Sequence, residues 1–175
     1  RAGILNVILM KMEILSTMIS MQTAASGTTA SENFGVLRVK RRVLNENSSI
    51  GAMSTSRIDL DGMYNVTYGI DGLFRVVGDE YVALKWLQTI QGGDVFADAA
   101  PQGVDAGRLV FNWTRRKLGG LSYENAFTWS GAGYNPRVGF ESRRDFARAQ
   151  SDWNYQWFPD EASIFGGIWM GTQSN

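Results

Sequence analysis

Tyr64-Asn65-Val66-Thr67-Tyr68-Gly69-Ile70-Asp71-Gly72-Leu73-Phe74-Arg75-Val76 is the stretch that decides the fold class. In an extended chain Tyr64, Val66, Tyr68, Ile70, Gly72, Phe74 and Val76 share one face. Asn65, Thr67, Gly69, Asp71, Leu73 and Arg75 share the other. Only Leu73 departs from the alternation. A helix would scatter both sets around its circumference, so the pattern is that of a strand. Soluble strands run about 5–6 residues, whereas a tilted strand crossing a bilayer needs about 9–11. The length of this one favours the membrane-crossing kind.

Similar segments flank it on both sides. Asn33 to Val43 places Phe34, Val36, Arg38, Lys40 and Arg42 on one face, and the basic side chains require water or partners there. Ser48 to Arg57 is built of small residues. Glu80 to Thr89 sets Val82, Leu84 and Trp86 against Ala83, Lys85 and Leu87. Gly107 to Arg115 sets Leu109, Phe111 and Trp113 against Arg108, Asn112 and Thr114. Leu121 to Trp129 alternates likewise, with Asn125 interrupting its apolar face. Arg144 to Trp157 ends on Trp153, Tyr155 and Trp157, and Ile164 to Met170 is a last apolar segment. Between them lie turn-forming runs such as Asn45-Glu46-Asn47, Asp59-Leu60-Asp61-Gly62, Gly78-Asp79 and Lys117-Leu118-Gly119-Gly120. Ala24 to Ser31 and Gly92 to Asp105 read as longer loops. For Met12 to Met21 both helix and strand stay open.

Composition narrows the chemistry. The chain has 20 Gly, 6 Trp, 6 Tyr and 9 Phe against 3 Pro, a mix suited to many strands and tight turns. With 17 basic and 17 acidic residues the net charge is zero, which offers nothing to nucleic acid. There is no cysteine and no histidine. Disulfides, thiolate catalysis, a Ser-His-Asp triad and His- or Cys-ligated zinc are therefore excluded within this chain. No cofactor and no metal is called for. The apolar run from Ile4 to Leu15 carries Asn6, Lys11 and Glu13 and is too short to span a membrane as a helix. The chain reads as a portion of a longer protein.

An antiparallel meander must dispose of its edges, and closure into a barrel does so completely. The expected fold is all-β: an antiparallel meander of about eight or nine long strands, part of an outer-membrane-type β-barrel. A soluble sandwich or barrel that binds carbohydrate through Trp129, Trp153 and Trp157 is an alternative. A second is a glycan-acting hydrolase using carboxylates among Asp59, Asp61, Glu124, Asp145 and Asp152. Asp59-Leu60-Asp61-Gly62 also has the look of a cation-binding turn, without the rest of a calcium loop.

In the barrel reading, Arg38, Lys40, Arg42, Asn65, Asp71, Arg75, Arg108 and Glu124 are candidates for the polar interior. Asn135, Arg137, Glu141, Arg143, Arg144 and Asp145 belong to an irregular segment after Asn135-Pro136, either a structural turn or an inward-folding constriction. Tyr64, Phe74, Trp113, Trp129 and Trp157 are candidates for the lipid–water interfaces.

Four stretches carry a resemblance: Phe34 to Arg41; Ser48-Ser49-Ile50-Gly51-Ala52; Tyr64-Asn65 leading to Gly69 through Arg75; and Tyr134-Asn135-Pro136-Arg137-Val138-Gly139-Phe140-Glu141-Ser142-Arg143-Arg144-Asp145-Phe146. In order and spacing, from about Phe34 to Phe158, the chain resembles the barrel domain of an uncharacterised bacterial outer-membrane family. Those proteins carry an N-terminal module similar to carbohydrate-binding family nine. The resemblance implies a barrel in the bacterial outer membrane, surrounded by lipid, lacking a catalytic motif, and associated with a saccharide-like solute. It also implies that the sugar-binding-like module is absent from this chain. Met10 to Ser31 fits the family pattern less well.

Overall fold

The computed structural model describes residues 21–22, 32–93, 103–138, 143–158 and 168–174. They form one antiparallel sheet in which every strand pairs with its neighbours in sequence. The strands are β1 (Met21–Gln22), β2 (Glu32–Arg42), β3 (Ser49–Asp59), β4 (Tyr64–Arg75), β5 (Glu80–Gly92), β6 (Gly107–Arg115), β7 (Gly120–Ser130), β8 (Phe146–Trp157) and β9 (Ile168–Ser174). The strands from β2 to β8 are 9 to 13 residues long. Among the described residues no ladder joins β9 to β1, so the sheet has two free edges there.

The hairpins close with local chemistry. Between β2 and β3, Asn45 accepts the Asn47 N–H through its side-chain oxygen at 3.0 Å, and Leu44 takes the left-handed backbone conformation. Between β3 and β4, Asp59 Oδ1 accepts the N–H groups of Asp61 at 3.1 Å and Met63 at 2.8 Å. These are side-chain mimics of a backbone turn. The connections 43–48, 76–79 and 116–119 lie at one end of the sheet. At the other end 60–63 is short, while 93–106 and 131–145 are long.

Register assigns each side chain to a face. From β2 to β5 the ladder aligns Leu37, Ser54, Tyr68 and Gln88 on one side, and Lys40, Gly51, Asp71 and Lys85 on the other. The first side continues through Leu109, Phe111, Trp113, Phe127, Trp129, Trp153 and Tyr155. The second continues through Arg108, Asn112, Thr114, Glu124, Asp152 and Asn154. One face is thus apolar and aromatic, the other polar and charged.

Burial runs opposite to that of a water-soluble domain. Among the described residues the buried polar set is Ser48, Thr55, Asn65, Thr67, Thr89, Thr114 and Ser130. The buried apolar set is only Ala106, Tyr123 and Tyr134. Meanwhile Ile70 is 65% exposed, and Leu37, Ile50, Tyr68, Leu84, Phe127 and Tyr155 are exposed beside it on the apolar face. No second layer covers that face among the described residues.

The strands also slide past one another in a constant direction. β5 runs to Gly92, but its pairing with β6 begins at Gln88↔Gly107. At the opposite end β7 starts at Gly120, beyond Tyr123, the partner of β6's last residue Arg115. The slide averages about one residue per strand. With about 3.3 Å per residue and 4.8 Å between strands, that is a tilt near 35°, the range in which sheets curl into barrels.

The expected segments depart from these strands mainly at their ends. β5 continues past Thr89 because its ladder with β4 persists to Tyr64↔Gly92. Arg144 lies outside β8, since Asp145, at a φ of 57°, breaks the extended backbone just before Phe146. The expected loop from Gly92 to Asp105 ends in a short 3-10 turn, Gly103–Ala106. The last strand is Ile168–Ser174, later than the expected Ile164 to Met170. The open reading of Met12 to Met21 and the loop Ala24 to Ser31 fall outside the described residues, apart from Met21.

Candidate functional site

The polar face is organised around one carboxylate. Asp71 in β4 accepts both terminal guanidinium nitrogens of Arg38 in β2, Nη2 at 2.8 Å. The two strands are not neighbours. Arg38 must reach across β3, and what it crosses is Gly51. A Cβ at position 51 would sit 2.8 Å from Arg38 Nη2 and 3.1 Å from Asp71 Oδ1. The absence of a side chain is what lets the pair form. Lys40 and Lys85 stand in the same cross-strand row as Asp71, so a single carboxylate is set among three cations. A second pair joins Arg57 to Glu32, Nε to Oε2 at 3.1 Å.

Of the remaining basic candidates, Arg42 is exposed at the end of β2. Arg75 belongs to the hairpin beside it: its guanidinium donates to the Gly78 carbonyl and lies 3.8 Å from Asp79. The Arg75 backbone N–H donates to Ser48 Oγ at 2.9 Å. Arg108 lies beneath two rings, 5.8 Å from the Tyr134 centroid and 6.0 Å from that of Phe146.

A second feature is the segment 131–138, which folds back over the polar face at the long-loop end. Its base is fixed to the 3-10 turn: Gly131 N–H donates to the Gly107 carbonyl and Gly133 N–H to the Asp105 carbonyl, each at 2.9 Å. Gly131 packs so closely on Asp105 that a Cβ there would strike its backbone. Tyr134 is buried, and its N–H donates to the Gly131 carbonyl at 3.2 Å. Beyond it the segment reaches past β6 and β5 to Asn65 in β4. Asn65 Nδ2 donates to the Asn135 carbonyl at 2.9 Å, and Asn65 Oδ1 accepts the Arg137 N–H at 3.1 Å. Asn135 Nδ2 donates to Gln91 Oε1 at 3.4 Å. Buried Asn65 thereby satisfies loop backbone in both directions, as a buried amide should. Of the other loop candidates, Arg143 lies 5.5 Å from the Phe146 ring, Arg144 and Asp145 are exposed, and Glu141 falls outside the described residues.

The acidic candidates divide by location. Glu124 and Asp152 are register partners across β7 and β8. They line a cavity of about 730 Å3 with Thr114, Arg116, Lys117, Ser122, Asn154 and Gln173. Both carboxylates project in parallel from one face of one sheet. Glycoside hydrolysis sets its two carboxylates on either side of the scissile bond. Asp59 Oδ1 accepts two turn N–H groups, those of Asp61 and Met63.

The aromatic candidates Tyr64, Phe74, Trp113, Trp129 and Trp157 all lie on the apolar face. Near the short-turn end Tyr123 packs between Trp113, edge-on at 5.1 Å, and Trp153, tilted at 4.9 Å. Toward the other end Trp86 stacks on Trp129 at 6.1 Å. The interruption at Asn125 is met on one side only: Trp153 Nε1 donates to Ser151 Oγ at 2.7 Å, and Ser151 Oγ donates to Asn125 Oδ1 at 2.7 Å, while Asn125 Nδ2 is buried without a hydrogen-bond partner among the described residues. These rings are spread over the whole of the apolar face.

No family model, curated protein or solved structure matches the chain.

Proposed function

We propose that this chain is part of a non-enzymatic β-barrel of the bacterial outer membrane, with its apolar face in lipid and its polar face toward a water-filled interior. The observation that carries the reading is the inverted burial: hydroxyls and amides covered, large aliphatic and aromatic side chains bare. Burying an apolar side chain is worth about 1.5–3 kcal/mol. Leaving the apolar face in water would forgo more than about 10 kcal/mol, as much as the whole stability of an ordinary domain. Lipid removes that cost. Tyr64 to Phe74 covers about 33 Å along β4, or about 27 Å along the axis at the tilt above, close to the ~25 Å apolar band of such barrels.

Within it, the segment 131–138 narrows the interior at the long-loop end, held on Asn65 and Gln91. The Arg38–Asp71–Lys85 array and the amides of Asn65, Gln91 and Asn135 suit passage or capture of a hydroxyl-rich solute. The family resemblance adds that the solute is saccharide-like. The test is flotation of the folded chain with liposomes, followed by alkaline carbonate washing and osmotic swelling in sugars. Retention in the lipid fraction with solute-dependent swelling supports the proposal. Release by carbonate contradicts it.

A further inference from the structure

The apolar face is not uniform. Between β2 and β5 it holds a cavity of about 440 Å3 walled by Val39, Ile50, Ile70, Phe74, Leu84 and Trp86. The cavity exists because two central positions are small, Ala52 and Gly72. The Phe74 ring folds back over Gly72, where a Cβ would lie 2.8 Å from Phe74 Cζ, and forms one wall of the cavity.

Two charged residues border this space, Arg41 and Asp71; register turns the Asp71 side chain to the opposite face, where Arg38 holds it, so Arg41 is the charged side chain on the groove's own face. On the apolar face of β2 to β8 the charged residues are Arg41, Glu80 and Arg115. Glu80 and Arg115 lie 3.8 Å apart and answer each other. Arg41 is exposed, and no carboxylate among the described residues pairs with it. It is the next-to-last residue of β2, at the short-turn end, while Trp86 lies deeper along the sheet. A lone cation at the mouth of an apolar groove complements an anionic head joined to a hydrocarbon tail.

We propose that this groove binds a glycerophospholipid, one acyl chain lying between Ile70 and Leu84 and the phosphate on Arg41. The inference rests on the membrane reading and names a specific ligand for one patch of the lipid-facing surface. Native mass spectrometry of the chain folded in detergent tests it, with phosphatidylglycerol and a diacylglycerol of the same chains as probes. The expected result is retention of phosphatidylglycerol about tenfold above diacylglycerol. Arg41→Gln should abolish that preference, and Ala52→Leu should weaken retention of both about fivefold by filling the groove. Equal retention of the two probes, or indifference to either substitution, would overturn the site. Tryptophan quenching by brominated lipid in the same preparations separates the two failures. Quenching without headgroup preference sinks the groove alone, and absence of quenching sinks the membrane reading beneath it.

Discussion

Gly51→Val should destabilise the protein, although it replaces a mid-strand glycine with a good strand former. On intrinsic grounds the exchange gains about 0.5–1 kcal/mol, since glycine surrenders the most backbone freedom on folding. Against this, a valine at 51 occupies the path by which Arg38 reaches Asp71, 2.8 Å from Nη2. That pair is neither fully exposed nor fully buried, its side chains 32% and 21% accessible. Exposed pairs are worth up to about 1 kcal/mol, and breaking a buried pair costs about 3–5 kcal/mol. An intermediate value of about 2 kcal/mol is appropriate, leaving a net loss of about 1 kcal/mol. Urea unfolding of the detergent-folded protein measures it. The decisive comparison is the same substitution in an Arg38→Ala/Asp71→Ala background. There the pair is already gone, and Gly51→Val should stabilise by about 0.5 kcal/mol. The same sign in both backgrounds would refute the argument that glycine is present to let the pair cross β3.

Asn65→Ala should release the 131–138 segment, because both of its hydrogen bonds to loop backbone disappear. Limited trypsin digestion after Arg137 should quicken about tenfold, for a loss near 1.4 kcal/mol, with little change in the digestion of β-hairpin sites. Asp59→Ala removes the acceptor of two turn N–H groups and should lower stability by about 1–2 kcal/mol in urea, with Asp59→Asn recovering most of it. Tyr123→Ala empties the space between Trp113 and Trp153 and should cost about 3 kcal/mol, read by unfolding and by a red shift of tryptophan emission.

How far the sequence foretells this structure depends on the range of the interaction. The alternation from Tyr64 to Phe74, broken only at Leu73, is a local property, and it places Asn65, Thr67 and Asp71 together on the polar face and Tyr68 and Ile70 on the other. The same holds for Arg38, Lys40 and Arg42 in β2. The role of Gly51 is not local. It appears only once register sets Gly51 opposite both Lys40 and Asp71, and a slip of one residue would send its neighbours to the opposite face. Asn65 is legible as a polar-face residue, but its partners are 70 and 72 positions away and belong to an irregular loop. Asn125 looks like a flaw in the apolar face until β8 brings Ser151 beside it. The turn Gly103–Ala106 has too few residues to declare a period at all.

The most direct test of the inverted sheet is a nitroxide scan of β4 in liposomes. The chain has no cysteine, so each label can be introduced alone. Labels at Val66, Tyr68 and Ile70 should be relaxed by oxygen, which concentrates in hydrocarbon. Labels at Asp71, Leu73 and Arg75, the accessible positions of the polar face, should be relaxed by a water-soluble nickel chelate, giving a two-residue period along the strand. Chelate access at every position, or a period of the opposite phase, would contradict a strand with its apolar face in lipid and its polar face in water.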